Sequence, residues 1–258
     1  MKKEFTRRQF LSTACKALTA GILIPSAGLA LFPQTSTAGT AAEQAPWEKV
    51  WAGKEWGFVV DTKKCIGCGR CVLACKKENH VPEDKEVFRT WVERYVENDK
   101  GEVNIDSPNG GLEFPPLGET DTKQFFVPKL CNQCHNPPCV QVCPVGATYK
   151  TGDGVVLIDK KRCVGCRYCI QACPYGARFL HPETNVADKC NWCYHRIQKG
   201  MRPACVTVCP AGARKFGNVK DPDSEVAKII EQERVRTLKP ELGTKAFVYY
   251  LGLDEVVV

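Results

Sequence analysis

Seventeen of the 258 residues are cysteine, and apart from Cys15 they fall into four groups of four. The first is CIGCGRCVLAC, with Cys65, Cys68, Cys71 and Cys75. The second is CNQCHNPPCVQVCP, with Cys131, Cys134, Cys139 and Cys143, and the third is CVGCRYCIQACP, with Cys163, Cys166, Cys169 and Cys173. The fourth, CNWCYHRIQKGMRPACVTVCP, carries Cys190, Cys193, Cys205 and Cys209 with a longer loop between its second and third members. Each group ends in C-x3-C, and the last three end in Cys-Pro. Thiols this close together can pair as disulfides, anchor a haem or bind metal as thiolates. The odd total and the short regular spacings argue against simple pairing. CNQCH, read alone, is the attachment motif of a c-type haem, with two thioether anchors and an axial histidine. Spending Cys131 and Cys134 that way would strand Cys139 and Cys143 and break the count of four.

The first and third groups match the C-x2-C-x2-C-x3-C run that supplies thiolates to 4Fe–4S clusters in bacterial ferredoxins. Three cysteines on one tight loop can wrap three corners of a cube, and Gly67 and Gly165 would let the backbone approach sulfides that a Cβ would crowd. The fourth cysteine, a helical turn further on, points away; in two-cluster ferredoxins it serves the neighbouring cluster. Four groups therefore imply four 4Fe–4S clusters held by all sixteen cysteines. Four tetrahedral zinc sites would use as many thiolates, but the repeated third ligand and the C-x3-C-P ending belong to the ferredoxin pattern. His135 is expected to cap a loop or bond near a cluster sulfur, and His80, His181 and His195 are read as structural.

These loops need short elements to hold them. WGFVVDTKK before the first group and DGVVLIDKKR before the third read as strands, and TGDG at 151–154 reads as the turn of a hairpin. CVLACKKEN and CIQACPYGA suit one or two helical turns. PVGA, PYGA and PAGA follow Cys143, Cys173 and Cys209, so one small unit recurs. EVFRTWVERYVE with a turn at NDKG, then the Pro/Gly-rich SPNGGLEFPPLG, reads as an insertion over about residues 83–124, either a hairpin that covers the core or faces a partner, or a passive surface loop. DPDSEVAKIIEQE reads as a capped helix with Asp221 and Pro222 as start signals, and KAFVYYLGL as a final strand of eight or nine residues. The expected fold class is α+β: a four-cluster domain over 42–218, then a helix and strand over 219–258. Linker length leaves the pairing of groups open, since nineteen residues separate Cys143 from Cys163 and sixteen separate Cys173 from Cys190.

The chain begins MKKEFTRRQFLSTACKALTAGILIPSAGLALF, a basic head and an apolar run broken by Gly21, Pro25 and Gly28. The run is too short to span a bilayer, which takes about 20 apolar residues. Arg7 and Arg8 in TRRQFL resemble a twin-arginine export signal, with small residues at 36–41 for cleavage. Residues 1–41 are therefore expected to be a signal peptide that includes Cys15. Such export delivers proteins already folded around their cofactors, which would let reduced thiolates reach an oxidising compartment. Five basic residues against Glu4 put +4 of the formal +7 charge in that segment. The remaining basic excess lies beside the cysteines, at Lys63, Lys64, Arg70, Lys160, Lys161, Arg162 and Arg167, where it would offset cluster charge or meet acidic partners. No basic helix or aromatic patch supports nucleic-acid binding.

The four groups in this order, from VDTKKCIGCGRCVLACKKEN to DKCNWCYHRIQKGMRPACVTVCPAGAR, resemble the four-cluster ferredoxin-type electron-transfer subunits of respiratory complexes. That family includes the iron–sulfur subunits of polysulfide, dimethyl sulfoxide and tetrathionate reductases and of formate-dependent nitrite reduction. Some relatives replace the second cysteine of the third group by tryptophan and hold a three-iron cluster; Cys166 keeps four cubanes here. The resemblance implies two stacked ferredoxin-like bicluster units in a nested arrangement. Cys65, Cys68 and Cys71 would share a cluster with Cys209, and Cys190, Cys193 and Cys205 one with Cys75. Cys131, Cys134 and Cys139 would be completed by Cys173, and Cys163, Cys166 and Cys169 by Cys143. It further implies a non-catalytic relay between an integral membrane quinone-reactive subunit of the polysulfide-reductase type and a periplasmic molybdopterin or multihaem partner. The protein would be exported by the twin-arginine translocase and sit peripherally on the membrane through its partner. A molybdenum-free, cytochrome-linked quinone-oxidising complex is the alternative setting.

Overall fold

The computed structural model describes residues 53–257; the expected signal segment lies outside them. Strand β1 (Trp56–Asp61) is buried along almost its whole length, as a short uninterrupted apolar run predicts for a strand covered on both faces. It pairs antiparallel with β9 (Arg214–Asn218), Phe58 opposite Phe216 and Val60 opposite Arg214. It pairs in parallel with β11 (Val248–Leu251), and β10 (Val235–Arg236) completes a sheet of order β10-β11-β1-β9. The strand entering the first cysteine loop and the strand leaving the fourth group are thus hydrogen-bonded neighbours. Behind that loop, α1 (Arg70–Glu78) starts at Gly69, which has φ 66°, and packs against the one-turn helix α5 (Ala204–Thr207).

Strands β2 (Thr90–Asn98), β3 (Val103–Asp106) and β4 (Asp121–Leu130) form a second sheet of order β3-β2-β4. The NDKG turn joins β2 to β3: Asn98 Oδ1 accepts from the amides of Lys100 and Glu102 at 3.0 and 2.8 Å. β4 passes through residue 124 and runs directly into Cys131, so this sheet delivers the second cysteine loop. Two hairpins follow, β5 (Thr148–Lys150) with β6 (Val156–Ile158) and β7 (Arg178–Leu180) with β8 (Ala187–Lys189). TGDG closes the first as expected, and its buried Asp153 accepts from Trp56 Nε1 at 3.0 Å and the Tyr194 hydroxyl at 3.2 Å. The one-turn helices α2 (Pro138–Gln141) and α3 (Tyr168–Gln171) pack on each other; α4 (Tyr194–Ile197) follows the fourth group's first pair.

Two C-terminal expectations change. The final strand has four residues instead of eight or nine, because the Phe247 amide is drawn to Asn132 O at 3.0 Å beside the second cysteine loop. Helix α6 (Glu225–Gln232) starts at Ser224, since Asp221 Oδ1 takes the Asp223 amide at 3.0 Å and makes a turn there. A core of Phe58, Val60, Val72, Val92, Leu130, Trp192, Val206, Val248 and Tyr250 joins the first sheet, α1 and the fourth group.

Candidate iron–sulfur centres

Sixteen free cysteines lie within the described residues; Cys68 and Cys166 are exposed and the others are buried or half-buried. Strand pairing and helix packing bring distant groups together. Cys65 has Cys71 and Cys209 as its thiol neighbours. Cys75 turns away from its own loop, and its neighbours are Cys190, Cys205 and Cys193. Asn79, one helical turn on, ties this set together by lying 3.6 Å from both Cys75 Sγ and Cys193 Sγ. Cys134 is surrounded by Cys131, Cys139 and Cys173. Cys163 and Cys169 share a small buried cluster with Cys139, and α2 on α3 sets the second group beside the third. Among the described residues no three His, Cys, Asp or Glu side chains converge tightly enough for a single metal ion; a tetrahedral zinc site would draw four sulfurs onto one point.

Backbone amides are aimed at the sulfurs. Thr148 N lies 3.5 Å from Cys143 Sγ, Ala187 N 3.4 Å from Cys163 Sγ, and Trp192 N 3.4 Å from Cys190 Sγ. The recurring Pro-x-Gly-Ala segment explains part of this, since Val145 and Ala147 donate to Cys143 as Tyr175 and Ala177 do to Cys173. Gly67 and Gly165 both adopt positive φ, and the neighbours that forbid a Cβ are the Phe126 ring at 2.4 Å and Asn185 O at 2.5 Å. Loop conformation and protein packing therefore require glycine at both positions.

Burial pushes the Cys65 thiol up to about 11 and the Cys134 and Cys205 thiols up to about 12. Cys143 goes the other way: burial raises it, but amides from Thr148, Val145 and Ala147 hold it below the usual range. Left to themselves at neutral pH, the thiols that burial raises stay protonated. Yet the same interior holds fixed cations and donors that want anions. Arg178 Nη2 lies 3.1 Å from Cys139 Sγ, while Arg178 Nε, Arg214 Nη1 and Trp192 Nε1 are buried with no partner among the described residues. Orphaned donors beside convergent sulfurs fit a group that makes all the sulfurs thiolate and adds sulfide acceptors, which a 4Fe–4S cluster does.

The basic residues expected to offset cluster charge or meet acidic partners are on the surface: Lys63, Lys64, Arg70, Lys160, Lys161, Arg162 and Arg167 are all exposed. The buried cations near sulfur are Arg89, which acts on Cys75 but is paired with Asp188, and Arg178, Lys189 and Arg214, which have no carboxylate partner among the described residues. The repeat carried a signal for two of them, because Cys-Pro-x-Gly-Ala is followed by Arg178 in the third group and Arg214 in the fourth. Lys189, directly before Cys190, carried none. His135 does cap a loop, through its amide to Lys245 O at 2.8 Å. His195 pairs with Glu78 at 2.7 Å, and His181 is buried against the His80 carbonyl.

Short strands and helices holding four groups of cysteines define an iron–sulfur protein of the multi-cluster ferredoxin class. Residues 64–147 and 122–219 each match a family described as a 4Fe–4S dicluster domain. The chain is 41% identical over 255 residues to a tetrathionate reductase subunit of Salmonella typhimurium, covering 98% of this chain and 90% of that protein. It is 40% identical to a polysulfide reductase chain of Wolinella succinogenes, covering 74% and 91%. It is also 38% identical to the Hdr-like menaquinol oxidoreductase iron–sulfur subunit 1 of Archaeoglobus fulgidus, covering 88% and 94%. The chain belongs to the four-cluster, ferredoxin-type iron–sulfur electron-transfer subunits of reductase complexes. It carries four 4Fe–4S clusters, and catalysis resides in other subunits.

Proposed function

We propose that this subunit relays electrons between a quinone-reactive membrane subunit and a periplasmic catalytic subunit, through clusters held in the nested arrangement. Four 4Fe–4S clusters supply one-electron carriers when bound. The residues decide the rest. Cys65, Cys68 and Cys71 with Cys209 hold one cluster, Cys75 with Cys190, Cys193 and Cys205 a second, Cys131, Cys134 and Cys139 with Cys173 a third, and Cys143 with Cys163, Cys166 and Cys169 the fourth. The groups at the chain's two ends thereby build one ferredoxin-like unit, and the second and third groups the other. The observation that carries the relay is that the two exposed ligands, Cys68 and Cys166, belong to different sets. Each stands beside exposed apolar side chains, Ile66 at 62% exposure near Cys68, and Val164 at 67% and Tyr168 at 59% near Cys166. Electrons would enter at one of these points and leave at the other, with a partner docked on each.

Iron content tests the cluster assignment. Anaerobically reconstituted protein is expected to hold about sixteen iron and sixteen acid-labile sulfide per chain, four of each per cubane. Saturation near half those values overturns it. Partner identity separates two settings, since the resemblance to a menaquinol oxidoreductase subunit favours a molybdenum-free complex as the second reading. Molybdenum in the purified native complex supports the first, and haem without molybdenum supports the second.

Export by the twin-arginine route is part of the same proposal and rests on Arg7 and Arg8 ahead of a weakly apolar run. Changing both to lysine is expected to leave cluster-loaded precursor in the cytoplasm. Undiminished periplasmic accumulation of the double variant overturns this route.

A further inference from the structure

Seven lysine or arginine side chains are buried among the described residues, and four of them have evident partners. Arg89 pairs with Asp188 at 2.8 Å, Arg94 with Asp106 at 2.6 Å, and Lys129 with Glu93 at 2.8 Å. Lys76 Nζ sits among the carbonyls of Lys85, Pro82 and Glu83. The other three have no carboxylate partner among the described residues: Arg178 Nη1 donates to Thr148 Oγ1 at 3.3 Å, Arg214 Nη2 to Thr90 Oγ1 at 2.9 Å, and Lys189 Nζ to Val156 O and, at 2.9 Å, to Cys190 O. Two of these also face each other directly: Arg178 on β7 is the cross-strand partner of Lys189 on β8. Like charges opposite one another destabilise a hairpin, so this register makes sense only where anions lie beside both.

Their thiol neighbours show a pattern. The charge of Arg214 acts on Cys71 and Cys65 and also on Cys205, which belong to the first and second cluster sets. Lys189 directly precedes Cys190 and its Nζ donates to Cys190 O at 2.9 Å, and its charge also acts on Cys131 and Cys139, the second and third sets. Arg178 acts on Cys139 and Cys131 and also hydrogen-bonds Cys169, the third and fourth sets. Each of these three cations acts on two sets, and no two of them join the same pair.

We propose that Arg214, Lys189 and Arg178 are positioning charges, one in each gap of a linear row of four clusters, that raise the reduction potentials of the two clusters each one separates. The inference rests on the cluster assignment above. Its order is Cys68's cluster, Arg214, Cys75's cluster, Lys189, Cys173's cluster, Arg178, Cys166's cluster, which puts the two exposed ligands at opposite ends. Reduction adds negative charge to a site already rich in thiolate, and a desolvated cation a few ångströms away stabilises the reduced state of both its neighbours. Net charge and hydrogen bonds to sulfur are the levers by which a protein sets such potentials. A shared cation also keeps two adjacent potentials matched, because both move together.

The test is an EPR-monitored redox titration of the full chain carrying Arg214→Met, Lys189→Met or Arg178→Met, with iron measured on each sample. Each substitution is expected to lower two of the four midpoint potentials by about tenfold or more in the reduction equilibrium, which is 59 mV for one electron. The Arg214 and Lys189 variants should share one affected cluster, the Lys189 and Arg178 variants another, and the Arg214 and Arg178 variants none. Arg214→Lys and Arg178→Lys keep the charge and should stay near wild type, and they carry the test if the methionine forms fail to load. Full iron with unmoved potentials, a uniform shift of all four, or lysine forms shifted two clusters at a time by that tenfold would overturn the inference. Wild-type protein holding well under sixteen iron would instead overturn the cluster assignment beneath it.

Discussion

Removing the clusters is expected to unfold this protein instead of leaving an empty scaffold. Around the cysteines, α2, α3, α4 and α5 have four residues each and β5, β6, β7 and β8 three each. Helices of one turn are not stable alone, so these elements persist only if something crosslinks them. Charge adds to the deficit. Without iron, burial holds the Cys75, Cys134, Cys190 and Cys205 thiols in their neutral form, and Arg178 and Arg214 remain in the interior with no carboxylate partner among the described residues, while burial pushes Lys189 toward its own neutral form. Leaving a buried charge without its partner costs roughly 3–5 kcal/mol, and a domain's whole stability is about 5–15 kcal/mol. Two such charges, on Arg178 and Arg214, remove much of it. Raising the pH does not help: a buried thiol with a raised pKa contributes stability below the unfolded value of about 8.5 and loses it as the pH climbs past that. Metal binding and folding are thus one equilibrium. Anaerobic chelation followed by near-UV circular dichroism and limited proteolysis should show loss of fixed tertiary structure. An apo chain that still melts cooperatively and resists protease would refute this.

How far the sequence led to this site depended on the distance over which each signal acts. Local signals were legible. The TGDG turn, the strand at Trp56–Asp61 and the helix behind the first loop depend on a few adjacent residues, and ligand spacing is set by the geometry of one loop. Register and partnership across the chain were not. Nothing near Val248 announces that it will lie parallel to Phe58, or that Phe247 will be diverted to the second cysteine loop. The basic residues show the same limit in another form. Lys63, Lys160 and Lys161 flank cysteines and look like counter-charges, yet they point to water because turns next to the loops are exposed. Arg178 and Arg214 are buried because each begins a strand whose partner covers it, Lys189 for one and Val60 for the other. Composition counts charges without saying which face of a hairpin they occupy.

Cys75→Ala is expected to destroy the cluster of the fourth group and spare that of its own. In sequence Cys75 completes the run that starts at Cys65, and a reading by motif alone would make it the fourth ligand there. In the structure α1 carries it in the opposite direction. Its thiol neighbours are Cys190, Cys205 and Cys193, and Asn79 bridges Cys75 Sγ to Cys193 Sγ, 114 residues along the chain from itself. Cys209 lines one small cavity with Cys65, Cys68 and Cys71, which is where the proposed assignment puts the fourth ligand of that cluster. The alanine variant should therefore lose about four iron, one cubane, and combination with a second substitution identifies which. Adding Cys193→Ala should remove little more, because both ligands serve the same cluster. Adding Cys68→Ala should remove a further cluster's worth, because the losses are then independent. The reverse pattern, additive with Cys193 and not with Cys68, would return Cys75 to its own motif and undo the nested arrangement that lets the two ends of the chain form one unit.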